Sequence, residues 1–425
     1  MRKKFIIIVI LLISFFIFSF NLETIRSTAK KYLPTETKTL VKKLFFGKER
    51  LEELRQLNEY GKMNYNQKVL PETQFTNMYL KEVLLNDLKS ISIKFFIEQF
   101  NEDLVIVDVK GKIFFINKNF IADLKDFNWI HVSSNLISRN VRIKDVLILN
   151  SEIYISYVEF DVETMKCDSI NISRAKISKK ELDFEIFFTS KECQGFNAGR
   201  MAFYNHNDED GLLLTTTAQC KTNNLAQDDN SIIGKILFID FETKNYKIFS
   251  KGHRNPQGLT IEKNFILSAE HGPTGGDEIN LIQFGKNYGW DISSYGETDN
   301  SCPKKSSKVY DYLKNHSDHG FVEPIYAFVP SIGINQIIKV PDNFSEYWKN
   351  NFLVTSLEGR SIYRILFDKN FTKLFYYEKI YIGKRMRDIY YIKEFNVFLL
   401  ALEGTSGPER DSIPSIGILS NSLNN

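Results

Sequence analysis

Two polar stretches in the second half of the chain carry more chemistry than a loop requires: Gly252 to Leu259, GHRNPQGL, and Glu270 to Trp290, EHGPTGGDEINLIQFGKNYGW. In the first, Arg254 offers a rigid fork of donors suited to a carboxylate or quinone oxygen, and Asn255 can both donate and accept. Pro256 and Gly258 fix the turn that presents them. Standing alone, such a stretch reads as a tight turn whose arginine pairs with a neighbouring loop. The second stretch, which begins eleven residues after Leu259, gives it a partner.

The elements that must position these loops are strands. From about Lys68 onward, short runs rich in Ile, Val, Phe and Tyr recur between Gly, Asn and Asp: KGKIFFINKN, SEIYISYVEF, DGLLLTTT, IGKILFIDFET, NFILSAE, DEINLIQFG, NNFLVTSLEG, SIYRILFDKN and FNVFLLALEG. No amphipathic helix of comparable strength alternates with them, which argues against a parallel α/β sheet and for an all-β architecture. GKIFFI at Gly111, GKILFI at Gly234 and SIYRILF at Ser361 resemble one another though far apart in the chain, as radial repetition requires. Six units between Lys68 and Pro408 would take roughly 57 residues each, close to the size of propeller repeats. The expected fold is therefore a six-bladed β-propeller over residues 68–412 with a C-terminal tail at 413–425.

Residues 1–20 differ from the rest. Arg2, Lys3 and Lys4 precede the uninterrupted apolar run Phe5 to Phe20, the order of an export signal. The run falls between a signal core and a full span, so a cleaved signal peptide and an uncleaved signal anchor both fit, and either puts the body outside the cytoplasm. Residues 21–67 are polar, with Leu51, Leu54 and Leu57 at helical spacing, and read as a helical stalk. The 55 basic and 52 acidic side chains, a net charge of +3, are well mixed, which excludes the basic block a nucleic-acid partner needs. Cys167, Cys193, Cys220 and Cys302 form no C-x-x-C and permit three full pairings in an oxidising compartment.

The ordered pattern G-H-R-N-P-Q-G-L, E-H-G-P-x-G-G-D-E-I-N and G-x-N-Y-G-W resembles the glucose/sorbosone dehydrogenase family, soluble aldose dehydrogenases that use pyrroloquinoline quinone (PQQ). A weaker likeness covers most of the chain after residue 90, including NAGRMAF at 197–203, PIYAFVPSIG at 324–333 and RMRDIYY at 385–391. The resemblance implies a six-bladed propeller, a sugar substrate, and PQQ gripped by Ca²⁺. Arg254 and Asn255 match the family residues that face the quinone and the reacting carbon. Gly272 and Pro273 match those whose backbone carbonyls bind calcium, a donor type that a hard cation accepts. Arg385 and Arg387 match the pair that holds cofactor carboxylates. Asp277 and Glu278 are expected to organise their loop, and His253 its turn.

The sequence departs from the family at two places. The family's base histidine precedes Gly-Arg in the third blade, and here FNAGR puts Phe196 at that position. Phenylalanine accepts no proton, and loss of a general base costs about 10² to 10⁴ in rate. The family stretch resembling G-Q-x-G-L-L-G is replaced by NVRIKDVLILNSEIY. His131, His206, His271, His316 and His319 offer no evident substitute; His206 is expected at the far end of its blade. Three functions stay open: an impaired PQQ- and calcium-dependent sugar dehydrogenase, a non-catalytic propeller that binds a glycan or protein, and a metal-dependent hydrolase of the lactonase kind.

Overall fold

In a computed structural model of the protein, six sheets of four or five strands are built on antiparallel meanders; the one parallel pairing among the described strands is Glu181–Leu182 against the outer strand Trp129–Ser134, and one sheet joins strands from both ends of the chain. The structure describes residues 67–69, 78–85, 91–124, 128–136, 140–161, 163–164, 166–193, 198–218, 224–296, 312–403 and 413–422. The apolar run 5–20, the stalk up to Asn66, Phe196, Cys220 and Cys302 lie outside them. Among the described residues, helix is limited to three short 3-10 turns, and no helix is long and apolar enough to cross a membrane.

The innermost strands of blades 1 to 6 are Phe95–Phe100, Val141–Leu149, Met201–His206, Pro256–Glu262, Ile334–Lys339 and Met386–Ile392. Each touches the innermost strand of the next blade, and that of blade 6 touches that of blade 1, so the ring closes. Hydrogen-bonded pairing between the two ends of the chain seals the ring: Tyr79–Leu84 pairs antiparallel with Ser415–Ser420, from Tyr79 opposite Ser420 to Leu84 opposite Ser415. An N-terminal strand thus completes the blade that the C-terminal segment supplies, and the strand Gln67–Val69 adds its edge.

The expected tail at 413–425 is corrected by this arrangement. Ser415–Ser420 is the third strand of blade 6, buried along its whole length between Tyr79–Leu84 and Val397–Leu402. Its serines and glycine look like a tail only because they pair with partners supplied from the other end of the chain.

Burial explains why the strand runs read as nearly continuous apolar segments. Blades stack face to face, so a middle strand is covered on both faces, and Asp103–Asp108, Asn351–Ser356 and Val397–Leu402 are buried throughout. The outer strand Leu374–Tyr381 alternates instead, because one face meets water. A separate apolar layer fills each gap between blades. Phe95, Ile106, Leu399 and Ile418 join blades 6 and 1, Phe115, Ile143 and Ile155 join blades 1 and 2, and Leu267, Ile337 and Phe352 join blades 4 and 5. Each such side chain contributes about 1.5–3 kcal/mol on burial, which holds the inner strands rigid around the axis.

Candidate functional site

The polar residues gather at one end of the axis, where the inner strands begin and the second strands of the blades end. His253, Arg254 and Asn255 sit directly before the inner strand of blade 4 and are all buried. Glu270, the last residue of the neighbouring strand, shapes this turn. Its carboxylate accepts from the backbone N–H groups of Arg254 and Asn255, and it lies 3.0 Å from Nδ1 of His253. The imidazole is also bonded to Ser250 through Nε2, 2.8 Å away, and stacks on Tyr288. His253 therefore has the structural role expected of it.

Arg254 lies over the ring of Trp290 and donates from Nη1 to the carbonyl of His271 at 3.1 Å. Oδ1 of Asn255 accepts from Thr217 and Gln257, which fixes the amide; no acceptor among the described residues takes its Nδ2.

The loop from His271 to Gly276 is tied down by Asp277. This carboxylate, 1% exposed, accepts from the N–H of Gly272 at 3.1 Å, the hydroxyl of Ser331 at 2.8 Å, and the N–H groups of Ile332 and Ile334 at 3.0 and 2.9 Å. Asp277 is a loop organiser that couples blade 4 to blade 5. A Cβ at Gly272 would overlap the carbonyls of Gly275 and Gly276, so the loop is folded tightly with its carbonyl oxygens crowded around that residue. Among the described residues, no group of three or more His, Cys, Asp or Glu side chains could hold a metal; cation binding here would fall to main-chain oxygens.

Arg385 and Arg387 open the inner strand of blade 6 and share one counterion that the sequence did not flag. Glu403, whose side chain is 3% exposed, accepts from Nε of Arg385 at 2.8 Å and from Nε of Arg387 at 2.7 Å. Burial pulls the Arg387 guanidinium down against the support of Glu403, and Arg385 adds repulsion. Lys94, before the inner strand of blade 1, is lowered by burial and by Arg387, Arg385 and Arg142, with Glu403 opposing. His271 closes the circle: desolvation, together with Arg254, Arg387 and Arg385, pushes its imidazole down to about 4 against the pull of Asp277. The inner strands of blades 4 and 6 thus present Arg254, Asn255, Arg385 and Arg387 at their starting ends.

Beneath this cationic mouth Arg200 ties the ring together. The left-handed Ala198 and Gly199 lead into it, and a side chain at Gly199 would overlap Lys144. From 3% exposure, Arg200 donates through Nη1 to Asp145 at 2.7 Å and Asp388 at 3.2 Å, through Nε to the carbonyl of Gln257, and through Nη2 to that of Arg387. One side chain therefore reaches blades 2, 4 and 6 from blade 3. Of these groups only NAGR and RMRD stood out in the sequence, and neither showed that Asp145 and Asp388 share a partner.

The remaining histidines lie elsewhere. His206 ends the inner strand of blade 3, away from the mouth, and packs on Phe249 and Phe284. His131 packs on Phe114, and His316 lies 3.5 Å from Glu278. A depression lined by Lys339, Pro341, Asp342 and Asn343 sits at the opposite end of blade 5 and holds none of these groups.

The closed ring and its polar, arginine-rich mouth define a six-bladed β-propeller. The glucose/sorbosone dehydrogenase family profile matches residues 101–407, and the chain belongs to that family. It is 26% identical over 208 residues to the aldose sugar dehydrogenase YliI of Escherichia coli, covering 45% of this chain and 53% of that one. It is 25% identical over 258 residues to quinoprotein glucose dehydrogenase B of Acinetobacter calcoaceticus, covering 47% and 53%. The chain thus spans about half the length of these curated relatives. In fold it is similar to the PQQ-bound aldose sugar dehydrogenase of Streptomyces coelicolor, with a TM-score of 0.53 at 16% identity over 83% of this chain and all of that one.

Proposed function

We propose that the protein is a PQQ- and calcium-dependent sugar dehydrogenase that oxidises an anomeric hydroxyl. The observation that carries this is the gathering of Arg254, Asn255, the Gly272–Pro273 loop, Arg385 and Arg387 at the same end of the ring, where Arg200 bonds both the carbonyl of Gln257 in blade 4 and that of Arg387 in blade 6. The fit to the cofactor rests on charge and donor type. An excess of guanidinium and ammonium groups suits a quinone that carries several carboxylates, and carbonyl oxygens crowded at Gly272 suit a hard cation. When bound, the quinone would accept hydride from the sugar while calcium polarises it.

The chain's own residues do the positioning. Arg385 and Arg387, held apart by Glu403, would take cofactor carboxylates; Arg254, fixed by Glu270 and Trp290, would donate to a quinone oxygen; and the free donors of Asn255 would orient the reacting centre. Phe196 supplies no base at the family position, which favours a second reading: a propeller that binds a glycan or protein without turnover. The disulfide between Cys167 and Cys193, with Cα atoms 5.7 Å apart, supports an exported protein, and we place it at the extracytoplasmic face through residues 5–20.

Calorimetric titration of the full-length protein with PQQ, with and without Ca²⁺, followed by dye reduction with a panel of aldoses, separates these readings. Calcium-dependent binding with turnover is the expected result. Binding without reduction of any aldose favours the second reading, and failure to bind PQQ at all overturns the first.

A further inference from the structure

Oxidation of an anomeric hydroxyl needs a group that takes its proton, and Phe196 supplies none. The buried carboxylates near the mouth have other partners. Asp145 and Asp388 are paired with Arg200, Glu403 with Arg385 and Arg387, and Glu270 holds the turn at His253. A repeat between two blades sets a lysine beside them.

Blades 2 and 6 open with the same five-residue pattern, Arg142-Ile143-Lys144-Asp145-Val146 in one inner strand and Arg385-Met386-Arg387-Asp388-Ile389 in the other. In blade 2 the register slips between Ile143, opposite Tyr157, and Asp145, opposite Ser156. In blade 6 it slips between Met386, opposite Leu402, and Asp388, opposite Ala401. Lys144 and Arg387 are therefore the extra residues of matched β-bulges, devices that re-aim a side chain. The aspartates that follow them meet on one nitrogen, Nη1 of Arg200, so the two bulges flank the same guanidinium.

Lys144 is also packed against the entry to blade 3. Gly199 has a φ of 101°, and a Cβ there would overlap Cβ and Cγ of Lys144. Gly199 lies three residues beyond Phe196. The lysine stem thus rests on the segment that carries a base histidine in the family. Lys144 is half-buried, and burial together with the positive charges of Arg387, Arg142 and Lys94 holds its amine well below the usual lysine range. Lys94 and Arg387 are themselves supported by Glu403. A lysine in such surroundings keeps a lone pair at a pH where an exposed one is protonated, the condition under which lysines act as bases.

We propose that Lys144 is the general base of the sugar oxidation and receives the proton of the anomeric hydroxyl on Nζ. The assignment rests on the sugar-dehydrogenase reading. The O–H bond gives its proton to Nζ while the anomeric C–H bond leaves with its electron pair to the quinone. The hemiacetal is thereby oxidised to a lactone and the quinone reduced by two electrons. The proton held by Lys144 then passes to the reduced cofactor or to water, which restores the free amine.

The test compares full-length wild type, Lys144→Met and Lys144→Arg. Calorimetry with PQQ and Ca²⁺ should give affinities within about three-fold of one another. With saturating cofactor and an aldose, both variants should lose about 10² to 10⁴ in kcat; arginine keeps the charge but accepts no proton. The wild-type kcat should fall as pH falls through the titration of Lys144, a limb that both variants lack. Without cofactor, NMR titration of isotopically labelled dimethyl-lysine, with Lys144 assigned by its loss in Lys144→Arg, should find it titrating below the exposed lysines. Titration together with the exposed lysines overturns the proposal. So does wild-type turnover in Lys144→Met, which would pass the proton to another group such as His271, or a loss of PQQ affinity with kcat retained, which would make Lys144 a cofactor ligand. Absence of PQQ binding and turnover in the wild type itself overturns the dehydrogenase reading, and the role of Lys144 falls with it.

Discussion

Nη1 of Arg200 lies 2.7 Å from Oδ1 of Asp145, with 4% and 7% of the two side chains exposed. The second oxygen of Asp145 accepts from the N–H of Met201, also at 2.7 Å, so the pair joins blades 2 and 3 at the axis. Removing one partner of a buried ion pair leaves the other charge desolvated and costs about 3–5 kcal/mol. Arg200→Met is therefore expected to lower unfolding stability by that amount, because Asp145 and Asp388 would face each other without a cation. Urea unfolding measures it; a loss under about 1 kcal/mol would mean that the hub is dispensable.

Glu98, half-buried in blade 1, senses the same hub from the acidic side. Burial and the like charges of Asp388 and Asp145 raise its carboxyl well above the usual range, against the weaker pull of Arg200. The folded state then keeps a proton that the unfolded chain releases near about 4.3. Because the native state binds more protons in that window, stability from this group falls as pH rises above it, by at most about 1.4 kcal/mol per pH unit. Glu98→Gln should abolish this component, so the variant gains on the wild type between pH 5 and 8 in urea unfolding. Parallel curves would show that Glu98 ionises normally.

The disulfide ties the third strand of blade 2 to a residue that precedes the hub in sequence. Cys167 begins the third strand of blade 2, and Cys193 lies in the segment that leads to Gly199 and Arg200, 26 residues on. A loop of that size corresponds to about 3–4 kcal/mol in the chain-entropy account. Replacing Cys193 and Cys167 together with serine, or reducing the wild type, should lower the thermal midpoint by several degrees. An unchanged midpoint would make the bridge incidental.

The blades were legible in the sequence because both faces of a middle strand are covered, leaving apolar runs such as Val397–Leu402 that punctuation by Gly and Asn sets apart. Ser415–Ser420 was not legible, since its burial depends on Tyr79–Leu84, more than 300 residues away. The site divides in the same manner. Arg254, Asn255, Gly272 and Pro273 lie within one local motif, and local motifs survive as spelling. Glu403 carries no motif; its role comes from the register that sets it beside Arg385 and Arg387. The match between RIKDV and RMRDI was present in the letters, but only the shared bond to Arg200 gives the two runs the same meaning.

Glu403 provides the sharpest separation between scaffold and ligand site. It lies 3% exposed between two guanidinium groups, and Arg385 and Arg387 together hold its carboxyl below the usual range despite burial. Glu403→Gln keeps the shape and removes the charge, so Lys94, Arg385 and Arg387 would repel one another without relief. The variant is expected to lose about 2–4 kcal/mol of stability, less than a fully buried pair because Arg385 is one-third exposed. If the mouth is built for a polyanion, a bound anion should supply what the glutamate no longer does. Thermal unfolding with PQQ and Ca²⁺, or with phosphate alone, should then stabilise Glu403→Gln more than the wild type. Equal stabilisation of both proteins would mean that the arginines are scaffold and that the anion binds elsewhere.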